Sequence, residues 1–208
     1  MCRFFETIRI TDGRPEFLSR HESRMNQTRK VFGRELSFLS LSERINPPAD
    51  LSEGLARCKV IYGKDIESIE YTAYHRKTIR SLMVVTCDDI DYGYKFLNRA
   101  CLEALMATRG DCDDIIIMKR GFITDASMAN LIFFDGKDWV TPKDPLFPGT
   151  CRARLLAEGV IKEKKIRLEE VIGFLGVKLI NALRYPEESE MIPVEEIQKK
   201  STFAKKKR

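Results

Sequence analysis

The sequence predicts a mixed α+β fold in two parts. Three observations carry that reading. Some stretches alternate apolar and polar residues with period two, and others space their apolar residues at helical intervals. Asp-Gly and Arg-Gly turn signals separate the strand-like runs, which favours antiparallel pairing. Asp88 to Tyr94 has no strong period and reads as a connector. The expected organisation is a small α+β domain at 1–88, a connector at 89–94, a larger α+β domain at 95–198 and a disordered basic tail at 199–208.

The elements follow in order. Arg3 to Thr11 is rich in Phe, Thr and Ile and runs into Asp12-Gly13, a strand entering a hairpin turn. Ser19 followed by Glu22 fits a helix-opening capping box. His21, Met25, Thr28 and Phe32 then share one helical face, and Gly33 is a stop signal. Ser40 to Arg57, broken at Pro47-Pro48, predicts a second helix. Cys58–Tyr62, Ile66–Tyr74 and Ile79–Thr86 read as strands, and Arg99–Thr108 as a helix. Asp113–Lys119, Phe122–Thr124, Ala129–Phe134 and Trp139–Thr141 are short strands, with turns at Arg120-Gly121 and Asp135-Gly136. A loop over Pro145–Thr150 leads to a short helix at Cys151–Glu158, and Val177–Leu183 reads as a late strand.

Composition narrows the function. With 208 residues, 43% of them hydrophobic, the chain can bury a sizeable core unaided. A net charge of +5 is mild and sits partly in Lys205 to Arg208, which argues against a nucleic-acid binder. No run approaches the ~18 apolar residues of a membrane helix. The first residues lack the basic-then-apolar pattern of a signal peptide, so the expected location is cytoplasmic. Six cysteines stand singly, and there are only two histidines. That pattern disfavours zinc and suits free thiols in a reducing compartment.

Four separated sites could carry chemistry. Lys95 lies at the end of the connector between Tyr94 and Phe96; a partly buried amine there must pair or lose its proton. A deprotonated lysine suits covalent chemistry with a carbonyl. Read alone, an exposed lysine is the simpler account. Arg24 sits beside His21 at the edge of the apolar helix face, where a guanidinium suits a phosphate or a carboxylate. A salt bridge with Glu22 or a neighbouring strand is the simpler account. Gly149, Thr150 and Cys151 open a helix whose exposed N–H groups favour a phosphate, though an ordinary capped helix reads the same way. Asp125, with Asn130 five residues on, could face a cationic ring nitrogen or could be a turn residue. Together these are the parts that a pyridoxal 5'-phosphate site requires: a lysine for the aldehyde, an arginine and helix start for the phosphate, and a carboxylate for the pyridine nitrogen.

At these residues the chain resembles the class IV (fold-type IV) pyridoxal-phosphate enzymes. Phe5-Glu6-Thr7-Ile8-Arg9 with Asp12-Gly13 is similar to the family's FET-x-R strand and turn. His21 to Met25 resembles its H-x-x-R-L helix, and Lys95 falls at its cofactor lysine. Asp113 to Asn130 is similar to its D-E-x-L through N-[IL]-F block, and Trp139 to Pro142 and Gly149 to Arg152 match its TP and G-[IV]-x-R elements. The resemblance implies a compact two-domain fold of the D-amino-acid aminotransferase type with a pseudo-barrel large domain. It implies that Lys95, Arg24, Asp125, Asn130, Gly149, Thr150, Cys151, Asn181 and Ala182 bind the cofactor, with Lys95 also catalytic. Lys95-Phe96-Leu97-Asn98-Arg99 and Asn181-Ala182-Leu183 resemble aminodeoxychorismate lyase, which releases pyruvate and 4-aminobenzoate on the folate pathway. The alternatives are an aminotransferase for branched-chain or D-amino acids and a cofactor-binding homologue with little turnover. Asp125 stands where the family usually has glutamate, the strand that usually precedes the FET element is missing, and the small first domain is shorter than usual. The resemblance also implies a homodimer. Phe4, Phe5, Tyr62, Tyr71 and Tyr74 cannot all fit one small core, and the surplus rings are expected at its interface.

Overall fold

A computed structural model describes residues 2–33 and 36–199. Strand β1 (Phe4–Thr11) turns through Asp12 and Gly13, both at positive φ (47° and 72°), into β2 (Arg14–Pro15). Two successive positive φ angles are what a tight hairpin needs, and Asp-Gly supplies them cheaply. Helix α1 (Leu18–Phe32) follows, then β3 (Leu55–Tyr62) and β4 (Ile66–Ala73). These strands form an antiparallel sheet of order β2-β1-β3-β4. Its core joins Phe4, Ile8 and Ile10 of β1 to Met25 of α1 and to Cys58 and Val60 of β3.

Two local expectations fail here. Ser19 does not cap α1: Phe17 holds that position at φ 48°, with no side-chain cap bond. The Glu22 carboxylate accepts the Leu41 N–H at 2.6 Å instead. A loop that must bury Leu39, Leu41 and Ile45 beneath α1 takes the acceptor that the capping box would have used. The helix expected within Ser40–Arg57 is likewise absent, apart from one 3-10 turn at Ala49–Leu51, and β3 begins early at Leu55. Pro47 and Pro48 lack the N–H groups that would continue a helix.

The second sheet holds β5 (Leu82–Thr86), β6 (Asp114–Lys119), β7 (Phe122–Ala126), β8 (Asn130–Phe134), β9 (Trp139–Pro142), β10 (Ile161–Lys164), β11 (Gly176–Ile180), β12 (Ile192–Pro193) and β13 (Ile197–Lys199). Its order is β10-β9-β8-β7-β6-β5-β13, with β11 and β12 branching from β8. Most pairs are antiparallel, as expected, but β5–β6, β9–β10 and β5–β13 are parallel. Leu82, Val84 and Ile116 pack on one face, and Val85, Ile115 and Ile117 on the other. Burial on both faces explains the unbroken apolar runs of β5 and β6. Helix α2 (Ala100–Met106) adds Leu102 to the second of these clusters, and α3 (Thr150–Ala157) packs Cys151 and Leu155 against Ile132 and Ile161.

The change from first to second sheet falls between Ala73 and Leu82, ahead of the connector expected at 89–94, because β5 pairs with β6. Lys199 belongs to β13, while 200–208 of the expected tail lie outside the described residues. The two sheets meet at Lys95. Phe5 N–H donates to Lys95 O at 3.0 Å, and Leu97 N–H donates to Arg3 O at 2.8 Å. Residues 95–97 thus fasten to the β1 edge that short β2 leaves open. Of the five aromatics, Phe4, Tyr62 and Tyr71 pack in this sheet's core, while Phe5 and the partly buried Tyr74 lie outside it and line the space between the two sheets. The loop of Leu39 to Ile45 and helix α1 give this sheet more core than its strands alone suggest.

Candidate active site

A cleft of about 600 Å³ lies where the two sheets face each other. Lys95, Arg24, Asp125, Asn130, Gly149, Thr150, Asn181 and Ala182 all line it. Cys151 does not. Its buried thiol borders a separate cavity of about 10 Å³ with His21 and Tyr185, and burial pushes that thiol up to about 11. Cys151 can therefore offer the cleft only its main-chain N–H, in the first turn of α3.

Lys95 is half-buried, and its Nζ lies 4.6 Å from the centre of the Phe5 ring and 5.1 Å from that of Phe147. Among the described residues it has no ion-pair partner. Desolvation, helped by the nearby charges of Arg24 and Arg99 and opposed by Glu6, lowers it to about 7. A large share of the amine is then neutral near neutrality, as a nucleophile or proton acceptor requires.

Arg24 extends from α1 to the start of α3. Its Nη1 donates to Pro148 O at 3.3 Å, and its guanidinium carbon lies 4.7 Å from the Phe147 ring centre. Its Nε and Nη2 bond Glu6 at 2.9 and 2.5 Å. Glu6 is fully buried on the core face of β1 and also meets His21 Nδ1 at 2.7 Å. Burial alone would raise its carboxyl, but Arg24 and His21 outweigh that and hold it near 2. His21 itself is pushed down, chiefly by burial, and its Nε2 lies 3.5 Å from the Thr150 hydroxyl. Sequence reasoning named Arg24 but missed Glu6. The available signal was a lone acid on the apolar side of β1, in register with Phe4, Ile8 and Ile10.

Asp125, next to last in β7, pairs with Asn130 at the start of β8. Asn130 Nδ2 donates to Asp125 Oδ1 at 2.6 Å and to Phe147 O at 2.8 Å, and its Oδ1 accepts Gly149 N–H at 3.1 Å. Phe147 N–H donates to Asp125 Oδ2 at 2.9 Å. Burial raises the Asp125 carboxyl to about 7 despite these donors. Gly149 has ordinary extended angles, so its role is spatial: a Cβ there would overlap Asn130 Oδ1. One polar knot thus ties the acid to the N-terminus of α3. Across the cleft, Asn181 Nδ2 donates to Met128 O at 3.2 Å and its Oδ1 accepts Leu183 N–H at 2.9 Å, which shapes the turn that holds Ala182.

Two further arginines matter. The Nε atoms of Arg57 and Arg99 are buried and have no hydrogen-bond partner among the described residues, and both side chains line the cleft. Such atoms are rare in finished structures and suit a cleft built to hold an anion. An amine lowered toward neutrality, an acid raised toward it, unsatisfied guanidinium groups and room of this size form a donor set that fits pyridoxal phosphate and a substrate together.

Residues 60–197 match the family described as "Amino-transferase class IV". The chain belongs to this family. A Haemophilus influenzae protein of uncharacterised function is 39% identical over 185 residues, spanning 88% of this chain and 98% of its own. A solved structure from Haemophilus somnus, proposed to be a 4-amino-4-deoxychorismate lyase, is 34% identical over 88% of this chain and 97% of that one, with a TM-score of 0.82. A hypothetical aminotransferase of Mycobacterium tuberculosis in its PLP-bound form shares the fold at 16% identity and a TM-score of 0.71, covering 92% and 80% of the two chains. The chain has the two-part α+β fold of the class IV pyridoxal-phosphate enzymes, and the first two relatives share its compact length.

Proposed function

We propose that this chain holds pyridoxal 5'-phosphate in the cleft and acts as a 4-amino-4-deoxychorismate lyase in the cytoplasm, supplying 4-aminobenzoate for folate synthesis. The observation that carries the reading is the pairing of Lys95, lowered to about 7, with Asp125, raised to about 7, in one cleft. Similarity to the Haemophilus somnus protein supports the choice of substrate.

Lys95 would hold the cofactor covalently; Arg24, the first-turn N–H groups of α3 and the Asn181–Ala182 turn would hold its phosphate; and Asp125 would face its ring nitrogen. The bound cofactor supplies an electron sink that stabilises a carbanion at the substrate carbon. With its Nζ free, Lys95 would take the proton from that carbon of the substrate. The ether C–O bond then breaks and the ring becomes aromatic. A proton returned to the departing enol gives pyruvate, so substrate atoms are conserved and no water is consumed. Phe5 and Phe147 keep bulk water from the amine during this transfer. Asp125 keeps one of its roughly four acceptor sites for the ring nitrogen, beyond those taken by Asn130 and the N–H groups of Phe147 and Leu146.

The test is a product assay on the cofactor-loaded protein. Release of pyruvate and 4-aminobenzoate in equal amounts supports the lyase. Amino transfer to a 2-oxo acid without pyruvate release supports the aminotransferase instead. A homodimer completes the proposal, and sedimentation at micromolar concentration checks it: a fully active 24.0 kDa species would refute it.

A further inference from the structure

We propose that Tyr92 is a positioning residue: its hydroxyl, bonded to Phe96 O, holds the segment that carries Lys95 in a fixed place relative to Asp125. The inference rests on the reading of Lys95 as the reactive amine, but not on the identity of the substrate.

The chain changes its attachment between Tyr92 and Lys95. Ahead of Tyr92 it is fastened to the β6–β7 hairpin, whose second strand carries Asp125. Arg120 N–H donates to Asp88 Oδ1 at 2.6 Å, and Lys119 Nζ donates to Ile90 O at 2.5 Å. From Lys95 onward the main chain is fastened to β1 instead. Phe5 N–H donates to Lys95 O, Leu97 N–H donates to Arg3 O, and Phe96 forms an antiparallel bridge with Phe4. Gly93 and Tyr94 span the change. The Tyr92 hydroxyl closes that span by donating to Phe96 O at 2.9 Å. Among the described residues it is the only hydrogen bond from residues 95–97 to the part of the chain that the β6–β7 hairpin holds.

The hydroxyl stands on a rigid base. The Tyr92 ring is buried and packs with Val85, Ile115 and Ile117 in the core of the second sheet. Burial pushes its phenol above the ordinary 10, so it stays a donor at neutral pH. The same ring lies 6.5 Å, centre to centre, from that of Phe147. Phe147 in turn lies 5.1 Å from Lys95 Nζ and donates its N–H to Asp125 Oδ2. Tyr92 therefore packs against the residue that holds the acid while it bonds the segment that presents the amine. Without the hydroxyl, Phe96 O loses its donor and the span is freed. An amine on a freed segment reaches water and regains its proton. A displacement of about 1 Å in a reacting group can cost roughly 10²-fold in rate.

Tyr92→Phe keeps the ring and its packing and removes only the donor. The first readout needs neither cofactor nor substrate. The Lys95 amine is titrated by NMR in cofactor-free protein made with isotope-labelled lysine, and Lys95→Met assigns its signal. We expect the proton affinity of the amine to rise at least about tenfold. The second readout is kinetic. On the substrate that the product assay identifies, kcat should fall at least about tenfold while KM stays within about threefold. Val85→Ala, in the same core cluster, is the packing control. It should lower the melting temperature and leave both the titration and kcat near those of the unaltered protein. An amine in Tyr92→Phe that titrates as before, or a kcat that does not fall, would overturn the proposal. Equal changes in Val85→Ala would also overturn it, since any loosening of this core would then move the amine. If the titration moves as expected but the unaltered protein releases no pyruvate, the lyase reading fails and the role of Tyr92 stands.

Discussion

The Lys95 amine lies 4.6 Å above the Phe5 ring, so β1 itself strips water from the residue that the connector delivers. The main-chain bond from Phe5 N–H to Lys95 O, 3.0 Å long, fixes that approach. Phe5 thus controls both the position and the basicity of the amine. Lys95→Met in the cofactor-free protein should raise the melting temperature at pH 7. The sign follows from linkage: the folded amine, at about 7 instead of 10.5, binds its proton more weakly than the unfolded one. Its cost is full below pH 7 and fades as pH rises toward 10.5, so the gain from Lys95→Met should fade over the same interval. Scanning calorimetry at several pH values checks this, and a gain independent of pH would mean that the amine is well solvated. The same variant should lose turnover and the visible absorbance of the lysine-bound cofactor.

Arg24 holds Glu6 in the fold and, in the proposed function, also the cofactor phosphate, and one substitution cannot separate the two. Its Nε and Nη2 are committed to Glu6, so Arg24→Ala leaves a fully buried carboxylate with only His21. Breaking such a pair costs about 3–5 kcal/mol. The double variant Glu6→Gln/Arg24→Ala should recover much of that loss without recovering cofactor affinity. Chemical unfolding and cofactor titration on the three proteins separate the tasks; recovery of both together would show that Arg24 serves only the fold. The depressed Glu6 carboxyl also sets an acid limit. Its contribution is present above its ordinary value of 4.5 and is lost as pH falls toward 2.

The sequence singled out Lys95, Arg24, Asp125 and Gly149 by residue type and by reading the four separated sites together, and the fold brings all four to one cleft. Glu6 was not singled out, since its role is fixed by α1 packing across β1. Strand β10 (Ile-Lys-Glu-Lys) and strand β13 (Ile-Gln-Lys) escaped notice for a different reason. They lie at the two ends of the main strand order, where one apolar anchor suffices and polar residues hide the alternation. The pairing of β5 with β6 was illegible because a parallel pair is set by the crossover through α2, not by the pattern of either strand. The Ser19 cap failed because Leu41, nineteen residues after Glu22, supplied a better partner for that acid.

Gly149→Ala should damage the site without touching a charged group. The added Cβ would overlap Asn130 Oδ1, and Asn130 is the donor that holds Asp125. Overpacking of this kind costs about 1–3 kcal/mol. Turnover should fall more steeply than stability does, because Asn130 cannot move without releasing both Asp125 and Phe147 O. Thermal unfolding beside steady-state kinetics decides it, and a variant with normal turnover would show that the knot tolerates rearrangement.

Asp125→Asn tests whether the buried acid is electronic or merely structural. The carboxylate accepts from Asn130 Nδ2 on one oxygen and from Phe147 N–H on the other. An amide has one oxygen, so its NH2 must face one of those donors, and the unmade bond should cost about 1–3 kcal/mol. The pH dependence separates this from the charge. The folded carboxyl titrates at about 7, well above its ordinary 3.8, so the folded protein holds that proton more tightly. The resulting stability is full below about pH 4 and is lost as pH rises to 7; Asp125→Asn should remove that slope from the cofactor-free protein. With cofactor bound, a neutral amide cannot keep a proton on the ring nitrogen, and turnover should drop by about 10²-fold or more, the scale of losing one preorganised charge contact. The cofactor should remain, since Lys95 and Arg24 are untouched. Retained turnover together with a lost pH slope would assign Asp125 to the fold alone and would leave the ring nitrogen without its partner.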